Sequence, residues 1–561
     1  MSDVATIPSL QSALNEAAVR PKDDRGVAEV RALLAELLAQ GRGDEALDQV
    51  VALLLQMVAQ QEDLTHQNEA LRKLIYGRRS EKVSLAQLQL FLQEAARAGA
   101  VEAGDVPPPP EPAAPPVVRP PQRRPGRNPL PAHLPRKRVE LRVEPAERAC
   151  KDCGLEKSPI GHECSEVLNF VPGHFEVTEY AREKLACKPC QEGVCIAAPA
   201  EKLVPGGMCG EGLLAQVLVG KYLDHCPLYR QRVIYLRSGV DLAESTLGSW
   251  VALGYALLLP LARLIWQRAV QCAVVGADDT PIRVLDADHA KGVKRGHIWA
   301  YLGYDDAGRA CYAALRYTED WSKKGPAEFL KGFGGTLQGD GYKGWASIAK
   351  KDLPGIVLSG CWAHVRRKCV EALESGALAA AMAVKLIGQL YDVEREARQE
   401  ELGVADRQAV RQAVATPVMA ALRKWVDQHH GRARPSSPLG KAVGYLHNQW
   451  PMLQVYLADG RVPIDNNLVE NQMRPVCLGK KNYLFCGSDA GGERAAVVYT
   501  LLATCKLVRA EPWAYLNEVL PHLARHARLH PDDDAGVHDA HLAHLLPHAW
   551  LARRKAAAAG G

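Results

Sequence analysis

Three acidic residues stand out by their settings. Asp278 closes the apolar run CAVVGADD, and Asp340 closes the short apolar stretch of GTLQGDGYKGW. Glu470 lies in VPIDNNLVENQMRP, among short polar side chains. The two aspartates follow expected strand ends, where open α/β sheets gather their chemistry. Two carboxylates and a third acid are what a pair of Mg²⁺ ions needs, because hard cations take oxygen ligands. Two such ions about 4 Å apart activate an attacking oxygen and stabilise a leaving one in an in-line displacement. The same residues have plainer uses. A strand-end aspartate can cap the next helix, and Asp340-Gly341 is a turn dipeptide.

The third acid depends on a helix. If Asp465 caps one that starts at Asn466, then Asn467, Glu470, Asn471 and Arg474 share a face. Val469, Met473 and Val476 share another, which can pack on a sheet. Downstream, Lys480, Lys481 and Arg494 accompany Tyr483 and Phe485. Cations for phosphates and aromatics for bases make a nucleic-acid track.

These positions need a scaffold. HIWAYLGYD (297–305) and ACYAALRYT (310–318) alternate like paired strands across DDAGR. PAEFLKGF reads as helix, the residues before Asp340 as a short strand, and PGIVLSGCWAHVRRK (354–368) as strand then helix. Three leading strands, a helix, a strand, a helix and a further strand predict an α/β domain with a mixed sheet. CWAHVRRK also supplies His364, Arg366 and Arg367, which suit either DNA contact or pairing with local acids.

Other segments point to assembly and binding. CKDC (150–153) and CKPC (187–190) flank a β-rich stretch, so Cys150, Cys153, Cys187 and Cys190 fit a tetrahedral, closed, structural Zn²⁺ site. The 15 cysteines and the absence of an apolar leader fit a reducing cytoplasm. From Leu47 an a/d pattern runs over about four heptads. Val50, Met57, Leu64 and Leu71 form one seam, and Leu47, Leu54, Gln61, Asn68 and Ile75 the other. Asn68 at an a position can fix the register of a parallel dimer. Residues 105–138 are too rich in proline for helix or sheet, and their second half is basic with no acid, a strap that attracts a polyanion. In SGVDLAESTLGSW, Gly239 ends one helix and Ala243-Glu244-Ser245 can start the next, a helix-turn-helix pattern.

Composition narrows the class. The chain has 561 residues, 47% of them hydrophobic, and a net charge of +5, so nucleic-acid affinity must come from local basic clusters. LGYALLLPLARLIW (253–266) is broken by Pro260 and Arg263, and no membrane span is expected.

Several stretches together resemble the transposases of the insertion sequence 66 family from about residue 45 to 550. They are YGRRSEK, PLPAHLPRKRV with the paired knuckles, KYLDHCPLYRQ, ADDTPIRVLD, GDGYKGW, GCWAHVRRK, PIDNNLVENQMRP, KKNYLFCGSDAGGERAA and LLPHAW. The resemblance implies a multidomain chain. It runs from a leader (1–45) through a leucine-zipper-like coiled coil (46–90), a Pro/Arg-rich linker (105–140), a zinc-binding domain (141–200) and a helical DNA-binding segment (205–268). A ribonuclease-H-like catalytic domain (270–515, with a helical insertion at about 370–460) and a C-terminal element (520–561) complete it. Asp278, Asp340 and Glu470 would be the DDE triad, holding two catalytic Mg²⁺ ions. Water would cut DNA at the element end, and the freed 3′-hydroxyl would attack target DNA. Implied partners are terminal inverted repeats and target DNA, further copies of the chain, and small accessory proteins of the same element. Two departures stand out. Asp279 replaces the Glu that usually follows the first Asp, and Asn471 replaces the Arg that usually follows the glutamate. Asn471 leaves open a transposase-derived DNA-binding protein with impaired catalysis. A structure-specific nuclease on the same fold is a third reading.

Overall fold

A computed structural model describes residues 25–52, 54, 55, 57, 83, 85–99, 173–180, 184–185, 195–196, 200–204, 207–530 and 539–559. The knuckle cysteines, most of the heptads and the basic linker lie outside the described residues. The chain forms two compact units. One spans Met1–Val106, Lys202–Leu228 and Ser245–Gly561, and the other spans Pro107–Glu201 and Tyr229–Glu244.

The smaller unit holds a two-stranded antiparallel ribbon, β1 (Lys184–Leu185) and β2 (Cys195–Ile196). It also holds most of the helix Leu228–Arg237, on which Tyr235 donates to Gln231 and meets Phe175 edge-on. Gly239 follows at φ +81°, so the expected break after this helix is present. The next helix is a long one, and the stretch 205–268 is divided between the two units.

The larger unit is built on a five-stranded sheet of order β5-β4-β3-β6-β7. Strands β3 (Val274–Leu285), β4 (Val293–Tyr304) and β5 (Ala310–Thr318) run antiparallel as the alternation predicts. Strands β6 (Thr336–Gln338) and β7 (Val357–Ser359) add in parallel through helical crossovers. The mixed sheet is therefore present. Strand β6 pairs only with Val274–Gly276, so beyond that point β3 has β4 as its main neighbour. This frees an edge for Pro281, which has no N–H to offer a second strand.

Helices cover both faces. Helix α1 (Glu211–Tyr222) is followed by α2 (Glu244–Val270), then α3 (Lys324–Phe329), α4 (Lys343–Lys351) and α5 (Trp362–Glu374). A helical segment follows: α6 (Ala380–Gln399), α7 (Thr416–His429) and α8 (Pro438–Leu453). Helices α9 (Asn467–Tyr483), α10 (Asp489–Val508) and α11 (Pro512–Leu529) return to the sheet and beyond. One sheet face packs Val275, Ala277, Trp299 and Tyr301 with Leu330, Phe333, Trp345 and Ile348 from the α3–α4 side. On the other, Thr500 of α10 accepts from Leu315 N and Trp266 Nε1, and Thr504 accepts from Ala313 N.

Helix α2 is long and apolar enough to cross a membrane by length and composition. Here Leu258, Leu261, Ala262 and Ile265 are fully buried, Gly254 abuts Leu218 of α1, and Pro260 lies within the helix. The helical segment has its own polar anchor. Arg411 is fully buried, forks onto both oxygens of Glu394 at 2.6 and 2.9 Å, and donates to the carbonyls of Tyr456 and Asp459.

Candidate functional site

Asp278 differs from expectation in one respect: it lies inside β3, not after its end. The pattern marked the end of the apolar run, but β3 continues as half of a long hairpin with β4. Asp278 still stands just past the point where the parallel neighbour β6 stops pairing. Asp340 follows β6 closely and accepts from Tyr342 N at 3.0 Å.

Glu470 comes on α9. The helix begins at Asn467, one residue later than expected, with Asn466 rather than Asp465 at the N-cap position; Asp465, one residue before it, accepts from Asn467 N at 3.1 Å. The apolar face packs as expected, with Val469, Met473 and Val476 buried. It packs closely because β3 carries Gly276 there. A Cβ at that position would stand 2.7 Å from Val469 Cγ2 and 3.1 Å from Asn466 Oδ1.

Two buried amides set the spacing of the acids. Asn466 is fully buried and donates from Nδ2 to Ala277 O at 2.9 Å, one residue before Asp278. Gln338, two residues before Asp340, donates to the carbonyls of Pro463 and Gly360. The loop that starts α9 is thus tied to the strands of both aspartates. Sequence reading missed both amides, because nothing in their local pattern marks them as buried.

The three carboxylates share one field. Burial, the Asp340 and Glu470 charges, and Asp279 push Asp278 up to about 7, against its backbone bond from Asp279 N. Glu470 Oε1 is buried without a hydrogen-bond partner. Its Oε1 lies 3.9 Å from His364 Nε2, beyond hydrogen-bond reach. Among the described residues, no group of three or more His, Cys, Asp or Glu is drawn close enough to hold a metal ion as the side chains stand. The donor chemistry nevertheless fits a hard divalent cation: a buried carboxylate, Asp278, with the charges of Asp340 and Glu470 acting on it, and one orphaned buried oxygen on Glu470.

The expected DNA-contact residues separate into groups. Arg474 and Lys481 are exposed on α9. Lys480 instead braces α9 against β3, donating to Thr280 Oγ1 at 2.8 Å and Pro281 O at 3.0 Å. Arg366 and Arg367 are half-buried on α5, and Arg494 is half-buried on α10. Two further cations were not legible in the sequence. Lys506 Nζ donates to Asn471 O at 3.1 Å, so a cation from α10 reaches the residue after Glu470. Lys368 lies over the Tyr445 ring at 4.9 Å, and Tyr445 in turn lies against Gly341, next to Asp340. Asp279 turns to the other sheet face, where His297 Nδ1 meets its Oδ2 at 2.6 Å and Trp321 Nε1 donates to its Oδ1.

The mixed sheet thus carries three acids from β3, the β6 end and α9, with exposed cations on α9. Comparison with known families extends this. Residues 206–494 match the model described as "Transposase IS66 family". Residues 147–191 match a "zinc-finger binding domain of transposase IS66", and residues 63–139 a leucine-zipper model described as "Transposase C of IS166 homeodomain". The four knuckle cysteines fall within the zinc-finger match. Curated relatives include the uncharacterized protein y4hP of Sinorhizobium fredii (strain NBRC 101917 / NGR234), 33% identical over 82% of this chain and 85% of its own length. The uncharacterized protein y4qI of the same organism is 36% identical over 70% of this chain and 74% of its own. The chain belongs to the IS66 family of transposases.

Proposed function

We propose that this transposase is a metal-dependent DDE enzyme that binds the ends of its element and carries out DNA cleavage and strand transfer, with Asp278, Asp340 and Glu470 as its catalytic acids. The observation that carries the reading is the placement of three carboxylates, from β3, the β6 end and α9, where burial first, and then the Asp340 and Glu470 charges, push Asp278 up to about 7. The sheet order, with three antiparallel strands followed by two parallel ones, supports a ribonuclease-H-like core.

Asp278, Asp340 and Glu470 would hold the two Mg²⁺ ions. Bound divalent cations supply Lewis-acid charge and a lowered proton affinity at the attacking oxygen. The chain's own work is placement. Asn466 and Gln338 keep the acids in register, and Gly276 lets α9 approach β3. Arg474, Lys481, Lys368 and Lys506 offer charge to the DNA backbone along the site, while His364, Arg366, Arg367 and Arg494 line its approaches. Cys150, Cys153, Cys187 and Cys190 would hold a structural Zn²⁺ in the end-binding module, and the heptads would pair two or more copies. The enzyme would act in the cytoplasm on chromosomal DNA, with the small accessory proteins of its element.

A second reading, a DNA-binding protein with impaired catalysis, rests on Asn471. The bond from Lys506 Nζ to Asn471 O weighs against it, because a cation is supplied there from another helix. The test is Glu470→Gln. Cleavage of terminal-repeat DNA should fall by more than about 100-fold, the upper end of what loss of an outer-shell partner costs, while end binding in a gel-shift assay persists. Undiminished cleavage by the variant would sink the assignment of Glu470.

A further inference from the structure

Near the turn that carries Asp340, on the sheet face that Asp279 rather than Asp278 meets, stands an exposed aromatic side chain that the proposed chemistry does not use. Trp321 follows β5, and 55% of its surface is exposed. An exposed tryptophan ordinarily moves between rotamers, but this one is fixed. Its Nε1 donates to Asp279 Oδ1 at 3.0 Å. One ring face is stacked on His297, with centroids 5.8 Å apart and planes 13° from parallel. His297 is itself buried and held to Asp279 Oδ2 at 2.6 Å.

The second anchor comes from the other acid. Tyr342 OH donates to Trp321 O at 3.0 Å, and the two rings lie 5.1 Å apart. The backbone N–H of the same Tyr342 donates to Asp340 Oδ1 at 3.0 Å. Trp299 backs the group, 5.6 Å from Tyr342 and 6.4 Å from His297. Trp321 is therefore tied on one side to the neighbour of Asp278 and on the other to the turn that carries Asp340. Its indole N–H is already satisfied, so what it presents is a flat π surface in a fixed orientation. Such a surface matches the face of a nucleobase, and stacking of that kind tolerates any base. A base within a duplex shows only its edges, so one that reaches this surface has left its pair.

We propose that the exposed surface of Trp321 is a stacking platform for an unpaired nucleobase at the Asp340 side of the cleavage site. The platform holds the DNA end locally open while the acids act on its backbone. This rests on the reading of Asp278, Asp340 and Glu470 as the cleavage site. Trp321 is a positioning residue: it orders the strand and takes no part in proton or phosphoryl transfer.

The test uses the full-length protein and duplexes carrying the element's terminal repeat. Trp321→Ala should cleave the fully paired duplex about tenfold more slowly, the size of one lost base–aromatic stack. Trp321→Phe should stay close to wild type. A mismatch or abasic site at the base pair beside the cleaved phosphate should restore Trp321→Ala, because opening is then already supplied. Binding is read separately by permanganate reactivity of thymines at the end, in complexes formed with Ca²⁺. Wild type should expose a thymine there, and Trp321→Ala should not. The proposal is overturned if Trp321→Ala cleaves the paired duplex at the wild-type rate, if a mismatch gives no rescue, or if both proteins give the same permanganate pattern. A pattern that depends on Trp321, with no cleavage by any variant, would retain the platform and overturn the catalytic reading instead.

Discussion

At the scale of single residues, the most informative group is Asp278. Its ordinary value of 3.8 is pushed up to about 7, first by burial and then by the charges around it. The sign of the consequence follows from linkage. Between these two values the folded protein keeps a proton on Asp278 that the unfolded chain has released, so stability falls as pH rises from about 4 to about 7. In buffer without divalent cations, Asp278→Asn should therefore raise the melting temperature at pH 8, by the equivalent of at most about 4 kcal/mol. Near pH 4 the gain should vanish. Magnesium should stabilise wild type more than the variant at pH 8, because only wild type brings the full set of carboxylates. Thermal melts across pH 4–8, with and without Mg²⁺, measure all three effects. A pH-independent gain from Asp278→Asn would mean that the carboxylate is not strained by its neighbours.

At the scale of elements, the site depends on how α9 lies on β3. The contact at Gly276 is close enough that any side chain must displace Val469 or Asn466. Gly276→Ala should cost about 1–3 kcal/mol, the usual range for overpacking. It should also lower cleavage more than it lowers stability, because the displaced helix carries Glu470. Adding Val469→Ala should recover much of both losses, and a double-mutant cycle in melting and cleavage checks this. The buried Arg411–Glu394 pair is a second such element contact. Glu394→Gln leaves a guanidinium without its countercharge and should cost about 3–5 kcal/mol in chemical denaturation. Much of this architecture was legible in advance. The alternation of 297–318 gives two strands, and the Val469–Met473–Val476 stripe gives a helix that packs on a sheet. What was not legible was long-range closure. Asn466 read as the start of a helix and Gln338 as part of a short strand, and no local pattern singled out Lys506; only the fold brings them to Ala277, Pro463 and Asn471. The end of an apolar run likewise marked Asp278 but not the strand's continuation, since a strand exposed on one side looks polar from there on.

At the scale of the whole molecule, the segment that matches the IS66 transposase model shares the chain with zinc-finger and leucine-zipper matches. The zinc-finger match covers the paired knuckles, so purified protein should contain about one tightly bound zinc per chain, and Cys153→Ser should lower end binding in step with zinc content. Metal analysis beside gel-shift titration measures both. Self-assembly is expected from a different surface. Residues 43–52 are helical, and the heptad positions Leu47, Leu54 and Met57 are 62%, 55% and 57% exposed in the single chain. Three large apolar side chains at these spacings lie on one stripe of a helix, and water is a poor neighbour for such a stripe. Pairing with the same stripe of another copy removes it from solvent, and a parallel arrangement would also place the two Asn68 side chains opposite each other. Leu54→Glu with Met57→Glu puts like charges into that seam. In sedimentation equilibrium, wild type should run as a dimer or larger, and the double variant should fall to the mass of one chain. Because the acids lie on β3, after β6 and on α9, far along the sequence from the seam, nicking of a single DNA end should survive in that variant. Joint processing of two ends should be lost, because it needs two chains held together. Unchanged mass would show that the copies pair through another surface.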